Sequence, residues 1–103
     1  MNDETQNKVM VNGRFHFPHS PNTAEVQRGM TILTCAGEKA GFSAGVIVKQ
    51  GEEEASFVLL GRLPVTSEYR QIPISLINRI EGETIHLNVT CAEILKLPLH
   101  QPD

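Results

Sequence analysis

Short apolar segments, separated by glycine, proline or charged residues, dominate the sequence from residue 26 onward. This spacing is typical of a small β-barrel rather than of a βαβ fold. Val, Ile, Leu and Phe supply 24 of the 73 residues from 26 to 98 but only four of the first 25. We therefore expect one folded domain over 26–98, an N-terminal extension over 1–25 and a C-terminal tail over 99–103. A chain of 103 residues can bury a core without disulfides or metal.

The strand pattern recurs five times between the turns, and this predicts a mostly β fold of five or six strands. Pro73 lacks an amide hydrogen, so it marks an edge or the end of its strand. Ser75 can cap a single helical turn, and the loop around Pro64 separates the third strand from the fourth. The predicted strands are Met30–Thr34, Gly45–Lys49, Ser56–Leu60, Tyr69–Ile74 and Thr84–Val89.

A short C-terminal helix is predicted from a capping box. The Thr90 hydroxyl can accept from the Glu93 amide while the Glu93 carboxylate accepts from the Thr90 amide. The helix is expected to reach about Leu97, because Pro98 stops it. Cys91, Ile94 and Leu95 would share one apolar face. We expect that face to plug the open end of the barrel.

The N-terminal extension carries one local signal, the Asn12-Gly13 step between two strand-like tetrads. Asn-Gly favours a type I′ turn, which predicts a hairpin over residues 8–17. Its register would place Met10 opposite Phe15. Pro18 and Pro21 then interrupt regular structure, so residues 18–25 read as a linker. A disordered tail is the alternative for the whole extension.

From Arg28 to Pro98 the sequence resembles the PRC-barrel domain family, the barrel module of the photosynthetic reaction-centre H subunit and of the C-terminal half of ribosome-maturation factor. No single segment is diagnostic, and the order and spacing of the segments carry the resemblance. Departures are Cys35-Ala36, where a polar pair is common, and the longer link Phe42-Ser43-Ala44. The matching segments are Gly29-Met30, Gly37–Gly41, Val46–Val48, Tyr69–Ile77, Gly82–Thr90 and Glu93–Pro98.

The resemblance implies a small PRC-type β-barrel with a short C-terminal helix that serves as an adaptor for proteins and is not an enzyme. The transmembrane helix of the reaction-centre subunit and the RNA-associated domain of the ribosome factor have no counterpart in the sequence, so neither role is carried over. The family has no catalytic motif. It therefore supplies no catalytic, cofactor-binding or metal-binding residue.

Charge and hydropathy argue against several classes of partner. The net charge is −3 and the nine Lys and Arg residues are scattered singly, whereas nucleic-acid binding depends on clustered cations. No apolar run approaches the ~20 residues that span a bilayer. The polar, acidic N-terminus is unlike a signal peptide. We expect a cytoplasmic protein with no nucleic-acid or membrane partner and with reduced thiols.

Cys91 and Cys35 are the candidates for thiol chemistry. Partial positive charge at a helix start stabilises a thiolate, which favours a reactive Cys91. Its apolar neighbours favour the alternative, a buried thiol that packs as a small hydrophobe. Cys35 ends a strand and is the more exposed candidate. His16 and His19 lie three residues apart, but Pro18 disfavours the helix that would bring them onto one metal.

The best functional indication in the sequence is that two predicted strands, Gly45–Lys49 and Ser56–Leu60, are apolar on both faces. A small barrel buries only one face of each strand, so these strands carry a surplus of apolar side chains. The N-terminal hairpin or the C-terminal helix would cover the surplus, or it would form a surface for a second copy, as in a homodimer, or for another protein. The candidate interface residues are Ile47, Phe57, Val58, Leu59 and Leu60.

Overall fold

The structure is a computed structural model that describes residues 7–17, 22–62 and 69–100. Within these ranges the chain is mostly β, as predicted, with ten strands, one 3-10 turn and one short helix. The predicted loop around Pro64 and residues 18–21 of the predicted linker lie outside the described residues. The elements are β1 (Lys8–Met10), β2 (Gly13–His16), β3 (Thr23–Val26), β4 (Thr31–Leu33), β5 (Lys39–Val48), β6 (Ala55–Gly61), β7 (Tyr69–Pro73), the 3-10 turn (Ile74–Leu76), β8 (Ile77–Glu81), β9 (Thr84–Leu87), α1 (Cys91–Ile94) and β10 (Leu99–His100).

β5 is the centre of the larger sheet, because it pairs with three other strands. β6 runs along one of its edges. On the other edge β4 pairs with the first half of β5 and β1 with the second half. The sheet continues in the order β10-β7-β6-β5-β4-β9-β8, and β2 and β3 form a separate pair. Only the β4–β9 pairing is parallel among these described strands.

The larger sheet curls around the core without closing. The chain passes from β7 to β8, near opposite ends of the sheet, through the three-residue turn Ile74–Leu76. So short a link spans no more than about 14 Å, which brings the two ends together. β7 and β8 do not pair with each other in the described sheet. The prediction of a closed barrel of five or six strands is therefore wrong, and β3, β8 and β10 had no predicted counterpart.

The predicted N-terminal hairpin is also wrong. β1 pairs with β5, placing Val9 opposite Ile47, and β2 pairs with β3, placing Phe15 opposite Ala24. An isolated hairpin of this length is marginal in water. Extending an existing sheet and burying Phe15 are more favourable than the local Asn-Gly turn. Residues 23–25, predicted as linker, belong to β3.

The core lies inside the curl of the sheet and takes side chains from both ends of the chain. Phe15 and Val26 pack in the same cluster as the residues of β5 to β9. Every buried side-chain nitrogen or oxygen among the described residues has a hydrogen-bond partner. The largest fully buried apolar side chains are Phe15, Ile32, Leu59, Leu60, Ile72, Ile85, Ile94, Val26, Val46 and Val58.

The capping box of α1 is confirmed. The Glu93 amide donates to the Thr90 hydroxyl at 3.2 Å, and the Thr90 amide donates to the Glu93 carboxylate at 2.8 Å. The helix is shorter than predicted. Ile94 is buried, but Leu95, predicted on the same apolar face, is 49% exposed. Residues 99 and 100 of the predicted tail form β10, which pairs with β7.

Candidate interaction surface

An apolar row crosses the outer face of the larger sheet. Val9 pairs with Ile47, Ile47 with Phe57, and Phe57 with Pro73. Residues directly opposite on neighbouring strands point to the same face. The adjacent residues Val46 and Val58 belong to the core, so this row faces away from it. Strands β5 and β6 are therefore apolar on both faces, as the sequence indicates.

The predicted interface residues do not form one exposed surface. Val58 and Leu60 lie in the core, because alternate residues of β6 point inward. Ile47 and Leu59 lie on the outer face but are only 3% and 2% exposed. Phe57 is half-buried, with the Lys49 ammonium 5.8 Å from its ring centroid. Neighbouring parts of the chain therefore cover most of the apolar surplus, and partner binding stays a prediction.

β1 and the residue that follows it carry three of the five exposed large hydrophobic residues in the described part of the chain. Val9, Met10 and Val11 are among the exposed large hydrophobic residues. A Cβ on Gly45 would lie 2.7 Å from the Met10 carbonyl oxygen, so glycine lets the β1 backbone approach β5. Sequence reasoning missed this surface because it assigned these residues to a hairpin. The three consecutive apolar residues were the signal for it.

The other edge strands of the described sheets carry charged residues or are very short. β8 presents Arg79 and Glu81, joined by an ion pair of 3.3 Å. β2 presents Arg14 and His16, and β10 has only two residues. Charges on an edge strand discourage pairing with another chain. β1 has only Lys8 in this role, so it is the least protected edge.

The two thiols lie on adjoining segments. The Cys35 amide donates to the Val89 carbonyl at 2.9 Å, two residues before Cys91. Cys35 is exposed, Cys91 is half-buried, and both are free thiols. Arg62 lies 3.6 Å from the Cys91 sulfur. Cys91 is therefore less buried than a thiol that packs as a small hydrophobe, and its reactivity stays a prediction.

Two of the described histidines, His16 and His86, contact carboxylates. His16 Nδ1 lies 2.5 Å from Glu54 Oε2, which links β2 to the turn before β6. His86 Nε2 lies 3.2 Å from Glu81 Oε1. His19 is outside the described residues. Within the described part of the chain, no three His, Cys, Asp or Glu residues form a group that could hold a metal ion.

Among the residues that the structure describes, no helix has the length and apolar character needed to cross a membrane. Comparison of the sequence with protein-family models and with curated proteins finds no match.

Proposed function

We propose that this chain is a non-catalytic protein-interaction module that self-associates by strand addition at β1. The observation that carries the proposal is the exposed apolar edge formed by Val9, Met10 and Val11. An unpaired strand edge offers backbone donors and acceptors to an added strand, and its side chains set the specificity. A second copy of β1 would extend the sheet through β5, β6 and β7.

The sequence of β1 suits antiparallel pairing with itself. In a pair centred on Val9, Lys8 lies opposite Met10 of the partner subunit, and Val9 lies opposite its own copy. Like charges directly opposite each other destabilise a strand pair. This arrangement places no like charges opposite each other. A two-fold arrangement of this kind is the commonest symmetry of soluble oligomers.

The proposal predicts that charge at position 9 controls the association. In Val9→Lys or Val9→Glu alone, like charges lie opposite each other, and we expect a monomer. Mixing the two variants places opposite charges together and restores the dimer. Sedimentation velocity over a wide range of concentration measures each state. Leu95→Lys is the control, because Leu95 is 49% exposed, close to the 52% of Val9, and lies on the segment after α1.

A wild-type chain that stays monomeric at every concentration would rule out self-association. A dimer that persists in both single variants would show that the contact lies elsewhere. If the Leu95→Lys control also dissociates the dimer, the effect is one of charge in general rather than of the β1 edge.

The relation to PRC-barrel domains is part of the proposal. The segments that carry the resemblance run from just before β4 to just after α1. Strands β4 to β9 form one continuous curled sheet, followed by the short helix α1, and this arrangement supports the proposal. The open sheet departs from a closed barrel, so we propose a PRC-like module rather than a barrel. The adaptor role of such modules agrees with strand addition at β1.

Thiol-based redox chemistry is the second candidate function. It is favoured by the hydrogen bond from the Cys35 amide to the carbonyl of Val89, because Val89 lies only two residues before Cys91 in the sequence. Diamide would take one hydrogen from each thiol and leave an intramolecular disulfide. Intact mass after treatment, with Cys91→Ser as control, separates the two functions. A mass unchanged by diamide excludes the redox pair and leaves the adaptor proposal unaffected.

A further inference from the structure

A depression of about 250 Å³ opens on the outer face of the larger sheet. Its apolar part is formed by Val9, Met10, Val11, Ala44 and Leu59. Leu59 is one of the two buried residues of the outer face described above. Arg28, Tyr69 and His100 also line it. Arg28 precedes β4, whereas Tyr69 and His100 are paired across β7 and β10. The site is therefore assembled from segments far apart in the sequence.

The polar side chains of this depression have no partners within the described part of the chain. The Arg28 guanidinium, the Tyr69 hydroxyl and the His100 imidazole make no hydrogen bond or ion pair there. Among the residues that the structure describes, no Asp or Glu lines the depression, although the chain as a whole carries a net charge of −3. The described lining therefore offers hydrogen-bond donors and the positive charge of Arg28 beside an apolar surface, with no carboxylate of its own to neutralise the arginine.

We propose that this depression binds a small organic acid, with its carboxylate on Arg28 and its apolar body on Leu59 and Val11. A guanidinium binds a carboxylate through two parallel hydrogen bonds. Few convergent polar groups on an apolar lining are typical of small-molecule sites. At the ~30 Å³ that one water occupies, the volume accommodates about eight non-hydrogen atoms. Benzoate is close to that size.

Titration of the isotope-labelled protein with benzoate, followed by NMR of the backbone amides, tests the proposal. We expect saturable shifts at Val11, Ala44 and Leu59. Benzamide has the same shape without the charge, so it should bind at least about tenfold more weakly. Arg28→Gln should weaken benzoate by a similar factor. Arg14→Gln is the matched control, because Arg14 is an exposed arginine of β2 outside the depression.

Shifts that do not saturate, or equal binding of benzoate and benzamide, would overturn the proposal. So would a loss of benzoate binding in Arg14→Gln as large as that in Arg28→Gln. The depression shares Val9, Met10 and Val11 with the β1 edge proposed for self-association. Arg28 lies outside β1, so Arg28→Gln is expected to weaken benzoate binding and still to sediment like the wild-type chain, which tests the two proposals separately.

Discussion

At the scale of single residues, Ser43 holds the turn before β4 onto β5. Its hydroxyl accepts from the Met30 amide at 2.9 Å and donates to the Gln27 carbonyl at 2.5 Å. Its own amide donates to the Met30 carbonyl and its carbonyl accepts from the Gly29 amide. Ser43 is fully buried. The sequence does not indicate this role, because a serine in an apolar segment has no local pattern that predicts four hydrogen bonds to three residues.

We predict that Ser43→Ala lowers the free energy of unfolding by about 2 kcal/mol, because the Met30 amide and the Gln27 carbonyl lose a buried partner. Urea denaturation measures the change. Ser56→Ala is the control, since the Ser56 hydroxyl bonds only to the exposed Glu52 at 3.3 Å. It should change stability by less than about 0.5 kcal/mol. Equal losses in the two variants would contradict the role given to Ser43.

At the scale of elements, local signals were confirmed where the partners are close in sequence. The capping box joins residues three apart, so its chemistry can be read directly from Thr90 and Glu93. The Asn12-Gly13 hairpin was wrong because each of its strands finds a better partner elsewhere. β5 also begins at Lys39, six residues before the start predicted for that strand at Gly45. Pairing with β4 extends that strand, and no local pattern reports it.

Within β5, Gly41 is predicted to be irreplaceable. A Cβ at this position would lie 2.0 Å from the Gly61 carbonyl oxygen of the paired strand. Gly41→Ala must displace backbone, so we expect a loss of about 3 kcal/mol or more in the free energy of unfolding. Gly37→Ala is the control. Gly37 has φ +82° and no atom within 4 Å of its Cβ position, so only about 1–2 kcal/mol of backbone strain is expected. Similar losses for both would show that β5 and β6 are not so close at Gly41.

At the scale of the whole molecule, the N-terminal segment contributes to the same core as the rest of the chain. Phe15 is 1% exposed and packs edge-to-face on Phe17, with ring centroids 5.1 Å apart. β1 adds a strand to the larger sheet. The first 25 residues contain few apolar side chains, and this suggested an extension. However, Phe15 is buried in the core and Val9 lies in the strand that pairs with β5.

We expect Phe15→Ala to lower the free energy of unfolding by about 3–5 kcal/mol, as for other buried phenylalanines. The loss should appear in a single cooperative transition, measured by circular dichroism during urea denaturation. Val11→Ala is the control, because Val11 is 62% exposed and should cost less than about 0.5 kcal/mol. A stability unchanged by Phe15→Ala would mean that this segment does not share the core.

The sequence by itself determined the mostly β class, the positions of several strands, the capped helix and the two-sided apolar character of β5 and β6. Each of these depends on residue alternation or on contacts a few positions apart. Only the tertiary structure decided that the sheet stays open, that β1 pairs with β5, and that Val9, Met10 and Val11 form the exposed edge. These outcomes depend on which distant strands pair and in what register. That choice is made by the burial of the whole chain, because alternative pairings satisfy the same local pattern.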